Sequence, residues 1–182
     1  MATEKALFAA GCFWGVQYYF DQVPGVLKST AGYSGGKGTY PTWESTHDED
    51  SDHAEVVLLE FDPKVVDYEM LVRHFFRLHD STQKDGQGPN IGTNYRSAIF
   101  YFDDTQQQIA KKVRAQVQET LDVPVVTEIT PASAFYEAED FHQKYTEKTG
   151  RGMCHIPYTP RAIANPKPPV VSPYNQYSIP PF

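Results

Sequence analysis

The chain has 182 residues, 40% of them hydrophobic, and a formal net charge of -7 at pH 7. This length and apolar content are enough for one domain with a full-sized core. The acidic balance and the absence of a basic run argue against nucleic acid as the main partner. No run approaches the ~18 apolar residues of a membrane span, and the polar first residues do not resemble a signal peptide, so we expect a cytoplasmic protein.

Apolar residues in the first half of the chain recur at spacings typical of strands and helices. A short apolar strand precedes an amphipathic helix, and a second strand ends in a glycine-rich loop. After a polar, acidic stretch, a third strand leads into a helix with one core-facing side. In chain order the predicted elements are strand 6–10, helix 13–21, strand 26–33, loop 34–38, strand 53–61 and helix 68–78.

The second half continues this alternation of strands and helices. The predicted elements are loop 80–94, strand 95–102, helix 105–121, strand 124–129 and helix 137–148. The first six strands and helices follow the order of the split βαβ, ferredoxin-like arrangement. We therefore predict an α+β fold with a ferredoxin-like core, a mixed sheet, helices mainly on one face, and an extra helix and strand.

The composition changes near the C-terminus, where eight prolines follow Ile156 and exclude regular structure. We predict a folded domain over residues 1–155 and a Pro-rich extension over 156–182. This tail is expected either to wrap over the surface in an extended form or to be mobile.

Cys12 lies where the first strand meets the first helix, in the segment Gly11-Cys12-Phe13-Trp14-Gly15. Backbone N–H groups and the positive end of a helix dipole favour a thiolate at such a position, as a nucleophile requires. Phe13 and Trp14 add apolar surface that suits a small uncharged substrate. From the residues alone, a buried structural cysteine is an equally good interpretation.

Two residues on later elements could act with Cys12. Glu55 shares a strand face with Val57 and Leu59, which predicts a partly desolvated carboxyl with a raised pKa, useful as a general acid. A solvated carboxylate at a protruding strand end is the alternative. Tyr95 offers a phenolic donor, although an amphipathic tyrosine at the edge of the core explains its position as well.

Cys154 is the second of two cysteines and lies in the glycine-containing segment Gly150-Arg151-Gly152-Met153-Cys154-His155. A flexible segment would let the Cys154 thiol move to reach a second cysteine. A bond between Cys12 and Cys154 would be catalytic rather than structural. The count alone leaves two unrelated thiols possible. The six histidines show no zinc-site spacing, so no metal is expected, and no feature singles out a histidine for a Cys-His-Asn hydrolase.

Five motifs together resemble those of A-type peptide methionine sulfoxide reductases. They follow the family's order and spacing from about Lys5 to Cys154. They are Gly-Cys-Phe-Trp-Gly at 11–15, Gly-Tyr-Ser-Gly-Gly at 32–36, His-Ala-Glu-Val-Val at 53–57, Gly-Thr-Asn-Tyr-Arg-Ser at 92–97 and Phe-Tyr-Glu-Ala-Glu-Asp-Phe-His-Gln at 135–143.

The resemblance implies a role for each matching residue. Cys12 matches the nucleophile, Glu55 the acid that protonates the sulfoxide oxygen, and Tyr95 one of two tyrosines that donate hydrogen bonds to that oxygen. Phe13 and Trp14 match the pocket for the substrate's methyl group, and Cys154 matches the resolving cysteine. The expected reaction reduces methionine S-sulfoxide, peptide-bound and possibly free, through a sulfenic acid and then a disulfide recycled by thioredoxin, without a cofactor.

Three positions depart from the family pattern. Trp43 stands where the second tyrosine is usual, Asn90 stands where aspartate is common, and Ser51-Asp52 replaces Thr-Gly before His53. We count Trp43, Asn90 and His53 among the substrate-binding residues. The departures keep two alternatives open: a catalytically weak binder or redox sensor of oxidised methionine, and a reductase of another small methyl sulfoxide. A monomer is the default expectation.

Overall fold

A computed structural model describes residues 2–153 and residue 156 of the chain. The strands and helices of this part are β1 (Glu4–Ala10), α1 (Phe13–Asp21), β2 (Val26–Ser34), β3 (Ala54–Phe61), α2 (Tyr68–Leu78), β4 (Gly86–Gln87), β5 (Asn90–Ile91), β6 (Ser97–Tyr101), α3 (Asp104–Glu119), β7 (Glu128–Pro131), β8 (Tyr136–Glu137) and α4 (Tyr145–Thr149). Short 3₁₀ turns cover Ser45–His47, Thr93–Tyr95 and Asp140–His142.

The main sheet has the strand order β7-β6-β1-β3-β2-β8. Its four central strands, β6-β1-β3-β2, pair antiparallel, and helices α1 and α2 make the two crossovers of a ferredoxin-like core. At one edge β7 runs parallel to β6 after α3, and at the other edge β8 pairs antiparallel with β2. The predicted α+β fold with a mixed sheet is confirmed.

Alternation along β1 divides the core into two sides. Phe8 and its same-face neighbours lie in the larger apolar cluster, which also takes in residues of α1, α2 and α3. Leu7 and Ala9 point the other way, into a smaller cluster that Phe135 helps to cover. These two clusters agree with the prediction that the helices pack mainly on one face.

The predicted helix over 137–148 is wrong. The segment instead forms β8, a 3₁₀ turn and the short helix α4. Gln143 prevents a continuous helix because its side chain bonds the backbone N–H and C=O of Ala31 at 3.0 and 2.8 Å. Lys144 then takes a left-handed conformation with φ 55° and pairs with Asp21 at 2.7 Å. Such long-range contacts override local helix propensity.

Other predicted bounds shift by a few residues. The fourth strand of the core begins at Ser97 rather than at Tyr95, and the strand after α3 is Glu128–Pro131 rather than 124–129. The predicted loop over 80–94 contains the small hairpin of β4 and β5, which buried Gln87 closes through hydrogen bonds to the backbone of Asp80.

Cys154 and nearly all of the Pro-rich extension lie outside the described residues, so the predicted domain boundary stays a prediction. Ile156 is described and is 5% exposed within the larger apolar cluster. None of the helices in the described part of the chain is long and apolar enough to cross a membrane.

Candidate active site

Cys12 occupies the junction between β1 and α1. Gly11 turns the chain with φ 91°, and Cys12 follows as the N-cap residue of α1, with 7% of its surface exposed. The side chain of Cys12 makes no N-cap hydrogen bond to α1. Instead, the backbone N–H of Phe13 donates to the Glu55 carboxyl at 3.0 Å. The cysteine and the carboxyl therefore both lie at the positive end of the α1 dipole.

Glu55 is 1% exposed and lies on β3 with its side chain toward the helices, as predicted from its alternation with Val57 and Leu59. Opposite it on β2 lies Tyr33, which is fully buried. Burial raises the pKa of Tyr33 and the nearby carboxylates Glu139 and Glu55 raise it further, so the phenol keeps its proton at neutral pH. Tyr33 donates to Glu139 at 3.2 Å.

The two aromatic residues after Cys12 form a wall with later residues. The Phe13 ring lies 5.6 Å from the Tyr33 ring and 5.3 Å from the ring of His142, centroid to centroid. Trp14 stacks on Tyr145 at 3.8 Å with an interplanar angle of 16°. The wall presents apolar ring surface next to Cys12, and such a surface suits a small uncharged group.

His142 has its tautomer fixed by its partners. The Trp14 indole N–H donates to His142 Nδ1 at 2.9 Å, so the ring proton is on Nε2, which faces Glu139 at 3.4 Å. Burial lowers the pKa of His142, with Glu139 partly opposing that shift. The imidazole is therefore neutral at pH 7 and serves as an acceptor for Trp14.

A cavity of about 420 Å³ opens beside this wall. Trp14, Trp43, Phe141 and His142 form its aromatic surface, and the carboxylates of Glu44 and Glu139 also line it. Trp43 belongs to the loop between β2 and β3, and its backbone N–H approaches Glu139 at 3.5 Å. Two predicted substrate-binding residues, Trp14 and Trp43, thus share one concave surface.

Tyr95 ends the 3₁₀ turn before β6 and is half-buried. Its hydroxyl lies 3.5 Å from Nε2 of His47, and the two rings meet edge to face at 6.2 Å. The Trp43 ring also contacts His47, with centroids 4.4 Å apart. His47 therefore contacts both residues that correspond to the pair of tyrosines expected from the resemblance.

Two predicted substrate-binding residues have contacts of another kind. His53 is 2% exposed and binds the glycine-rich loop, accepting from Gly36 N–H at 3.2 Å and facing the Gly38 carbonyl at 3.3 Å. Asn90 is half-buried and pairs with Gln87 in the β4–β5 hairpin. The roles of His53 and Asn90 in substrate binding stay predictions.

The sequence pattern predicted no role for four residues near the site. Tyr33, Glu139 and His142 belong to motifs that carry the resemblance, so their type and position were visible, although their contacts were not. His47 belongs to the acidic stretch between β2 and β3, which has no periodic pattern. Within the described ranges, no group of three or more His, Cys, Asp or Glu is arranged to hold a metal ion.

The segment on either side of Cys154 packs against the start of α1. A Cβ added at Gly15 would lie 2.7 Å from the Met153 carbonyl oxygen and 3.0 Å from Ile156 Cδ1. A Cβ added at Gly152 would meet both Trp14 and Tyr145 at 3.0 Å. Gly15 lies in the first turn of α1, only three residues after Cys12.

Comparison with known proteins agrees with this geometry. The family model described as peptide methionine sulfoxide reductase matches residues 4–167. The Methanosarcina mazei protein named peptide methionine sulfoxide reductase MsrA is 48% identical over 149 residues, 81% of this chain and 71% of its own. The structure of Saccharomyces cerevisiae Mxr1 in reduced form superposes with a TM-score of 0.79 at 28% identity, covering 97% of this chain and 93% of that one. Mxr1 in complex with Trx2 matches with a TM-score of 0.57 at 25% identity, over 79% of this chain and 84% of that one.

A ferredoxin-like α+β fold with a cysteine and a buried carboxyl at one helix N-terminus is the framework of a thiol-dependent reductase. The chain belongs to the peptide methionine sulfoxide reductase family. The resemblance recognised from the five sequence motifs is thereby confirmed.

Proposed function

We propose that this member of the family reduces the S epimer of methionine sulfoxide, with Cys12 as the nucleophile and Glu55 as the acid. The observation that carries the proposal is the hydrogen bond from Phe13 N–H to the buried Glu55 carboxyl, next to Cys12. It brings a thiol and a proton source to the same helix terminus. Each type of methionine sulfoxide reductase handles one epimer.

The first step transfers one oxygen atom from the sulfur of the substrate to the sulfur of Cys12. The Cys12 thiolate attacks the sulfoxide sulfur while Glu55 gives its proton to the sulfoxide oxygen. The oxygen passes to Cys12 as a sulfenic acid, methionine leaves as the thioether, and the methionine sulfur is reduced by two electrons. Desolvation of Glu55 disfavours its charged form, which helps the carboxyl to carry that proton. Tyr95 would donate a hydrogen bond to the same oxygen.

The second step needs a second thiol near Cys12. We propose Cys154, whose thiol condenses with the sulfenic acid to give a disulfide and water. Cys154 directly follows Met153, and the approach of the Met153 carbonyl to Gly15 supports this assignment.

Thioredoxin is the reductant that we propose for the resulting disulfide. The relative Mxr1 is known in complex with Trx2, which supports a similar partner here. Thiol–disulfide exchange with a dithiol protein returns both cysteines to thiols without any bound cofactor. We propose that a monomer in the cytoplasm works in this way, because that compartment maintains a supply of reducing thiols.

An epimer-resolved assay tests the proposal. The protein is incubated with the separate S and R epimers of an N-blocked methionine sulfoxide and dithiothreitol, and methionine formation is followed by chromatography. We expect product from the S epimer alone, and none from Cys12→Ser. No product from either epimer would overturn the proposal, and binding without product would identify a sensor instead.

Recycling is tested with thioredoxin in place of dithiothreitol. Because Cys154→Ser cannot form the disulfide, we expect one equivalent of methionine per protein and then arrest. A first turnover at the wild-type rate with dithiothreitol serves as the control for an intact site. Sustained cycling of Cys154→Ser with thioredoxin would remove Cys154 from the mechanism.

A further inference from the structure

His47 has no role in the proposed reaction, yet both of its ring nitrogens face residues of the candidate site. It ends the 3₁₀ turn Ser45–His47 in the loop between β2 and β3 and is exposed at its other edges. Its ring contacts the rings of both Trp43 and Tyr95.

The protonation pattern of His47 follows from its partners. Nδ1 lies 2.7 Å from the Trp43 backbone carbonyl, which can only accept, so Nδ1 carries a proton. In the neutral ring Nε2 is then an acceptor, and it faces the Tyr95 hydroxyl at 3.5 Å, the long end of hydrogen bonding. Protonation adds a proton at Nε2 and leaves the bond from Nδ1 to Trp43 intact.

His142 behaves in the opposite way, which makes His47 distinctive. A proton on His142 Nδ1 would remove the acceptor that Trp14 uses at 2.9 Å. The His47 site therefore tolerates both charge states of its imidazole, whereas the His142 site does not.

We propose that His47 is a positioning residue that sets the direction in which the Tyr95 hydroxyl donates its hydrogen bond. This inference rests on the proposed role of Tyr95 in sulfoxide reduction. The neutral ring accepts the Tyr95 proton and competes with a substrate oxygen for it. The protonated ring donates to the Tyr95 oxygen, and the phenolic proton is then available to the sulfoxide.

The groups that could influence the charge of His47 lie on two segments of the chain. In the described part of the chain, the titratable side chain that contacts the imidazole from another element is Tyr95. On the imidazole's own loop, the carboxylates nearest in sequence are Glu44 and Asp48. The hydrogen-bond role of the Tyr95 hydroxyl should therefore follow the charge state of this imidazole.

Two substitutions separate the ring nitrogens of His47. His47→Asn keeps a polar group near the Nδ1 position and loses the one at Nε2, whereas His47→Gln reaches the Nε2 position and can donate to Tyr95. The measurement is the first-turnover rate with an N-blocked methionine S-sulfoxide. At about pH 6 we expect His47→Asn to be about threefold to tenfold slower than wild type, and at about pH 8.5 within about twofold of it. His47→Gln should retain the faster rate at both values.

Two controls distinguish this role from a structural one. Thr46→Val removes the other hydrogen bond to the Trp43 carbonyl, which Thr46 donates at 2.7 Å, without touching Tyr95, and should keep the wild-type profile. In a Tyr95→Phe background the pH-dependent effect of His47→Asn should disappear.

The same experiments overturn the proposal if the wild-type to His47→Asn ratio does not change with pH, if Gln fails to rescue, or if the effect persists without the phenol. Failure of the proposed function is separate from these outcomes, because the wild-type protein would then release no methionine at any pH.

Discussion

Glu55 is the residue on which the proposed chemistry and the local fold both depend. Its carboxyl accepts the first N–H of α1 from Phe13, and it is 1% exposed. A hydrogen bond from a backbone N–H stabilises a carboxylate, whereas burial disfavours it. These two influences oppose each other at Glu55, and the proposed chemistry needs its protonated form.

Replacing Glu55 with Gln separates its proton from its hydrogen bond. The Gln carbonyl oxygen can still accept from Phe13 N–H, so α1 should keep its cap, but no proton can be transferred. We expect the first-turnover rate with methionine S-sulfoxide to fall by about 10²–10⁴, the usual contribution of a general acid. Rapid-quench measurement of methionine released per protein gives this rate.

The matched control is Glu60→Gln on the same strand. Glu60 forms an exposed ion pair with Lys28 at 3.9 Å, and such pairs contribute little to stability. Glu60→Gln should therefore react at the wild-type rate. If Glu55→Gln also keeps that rate, another group supplies the proton.

The site was predictable from the sequence where local geometry decides it. Cys12 follows a strand and precedes a helix, and period-two alternation was enough to turn Glu55 toward the core. Tyr33, Glu139 and His47 could not be assigned in this way, because their contacts join segments distant in the chain. Tyr33 donates to a residue 106 positions later, and Tyr95 meets one 48 positions earlier.

At the scale of elements, the same division appears in the fold. The strands and helices of the ferredoxin-like core have clear periodicity and were predicted within a few residues. The segment 137–148 has helix-forming residues, yet Gln143 binds the edge of β2 and Lys144 binds Asp21 instead. Sequence periodicity reports which face of an element is apolar, and it carries no information about which distant backbone groups need a partner.

The close approach of Met153 to Gly15 on α1 gives an element-scale prediction. Gly15→Ala would place a methyl group 2.7 Å from the Met153 carbonyl, too close for both to stay in place. We expect the segment to shift away from α1 and thioredoxin-driven turnover to fall about tenfold or more, since small misplacements are costly for a reaction between two held groups. Steady-state turnover with thioredoxin is the measurement.

The first turnover with dithiothreitol is the control for this variant, because it does not need the second thiol. It should stay near the wild-type rate in Gly15→Ala. Equal slowing of both rates would mean that the methyl group disturbs Cys12 itself rather than the segment after Gly152.

For the molecule as a whole, one buried histidine joins the two helices of the core. His74 on α2 is 3% exposed, and its Nδ1 lies 3.0 Å from the hydroxyl of Tyr19 on α1. Burial lowers the pKa of His74 to about 3, and the positive charge of Arg77 acts in the same direction. The folded protein therefore keeps this imidazole neutral down to strongly acidic pH.

His74 makes the folded protein less stable as the pH falls. Below about pH 6.5 the unfolded chain binds a proton at His74, whereas the folded protein does not. The free energy of unfolding therefore has its full value above that pH and declines as the pH falls toward about 3. One group can account for at most about 1.4 kcal/mol per pH unit. We expect His74→Asn to be less stable than wild type at pH 7. Its free energy of unfolding, measured with urea, should also fall less steeply between about pH 6 and 4, because the contribution of His74 to the pH dependence is gone. An unchanged slope in His74→Asn would exclude His74 as its source.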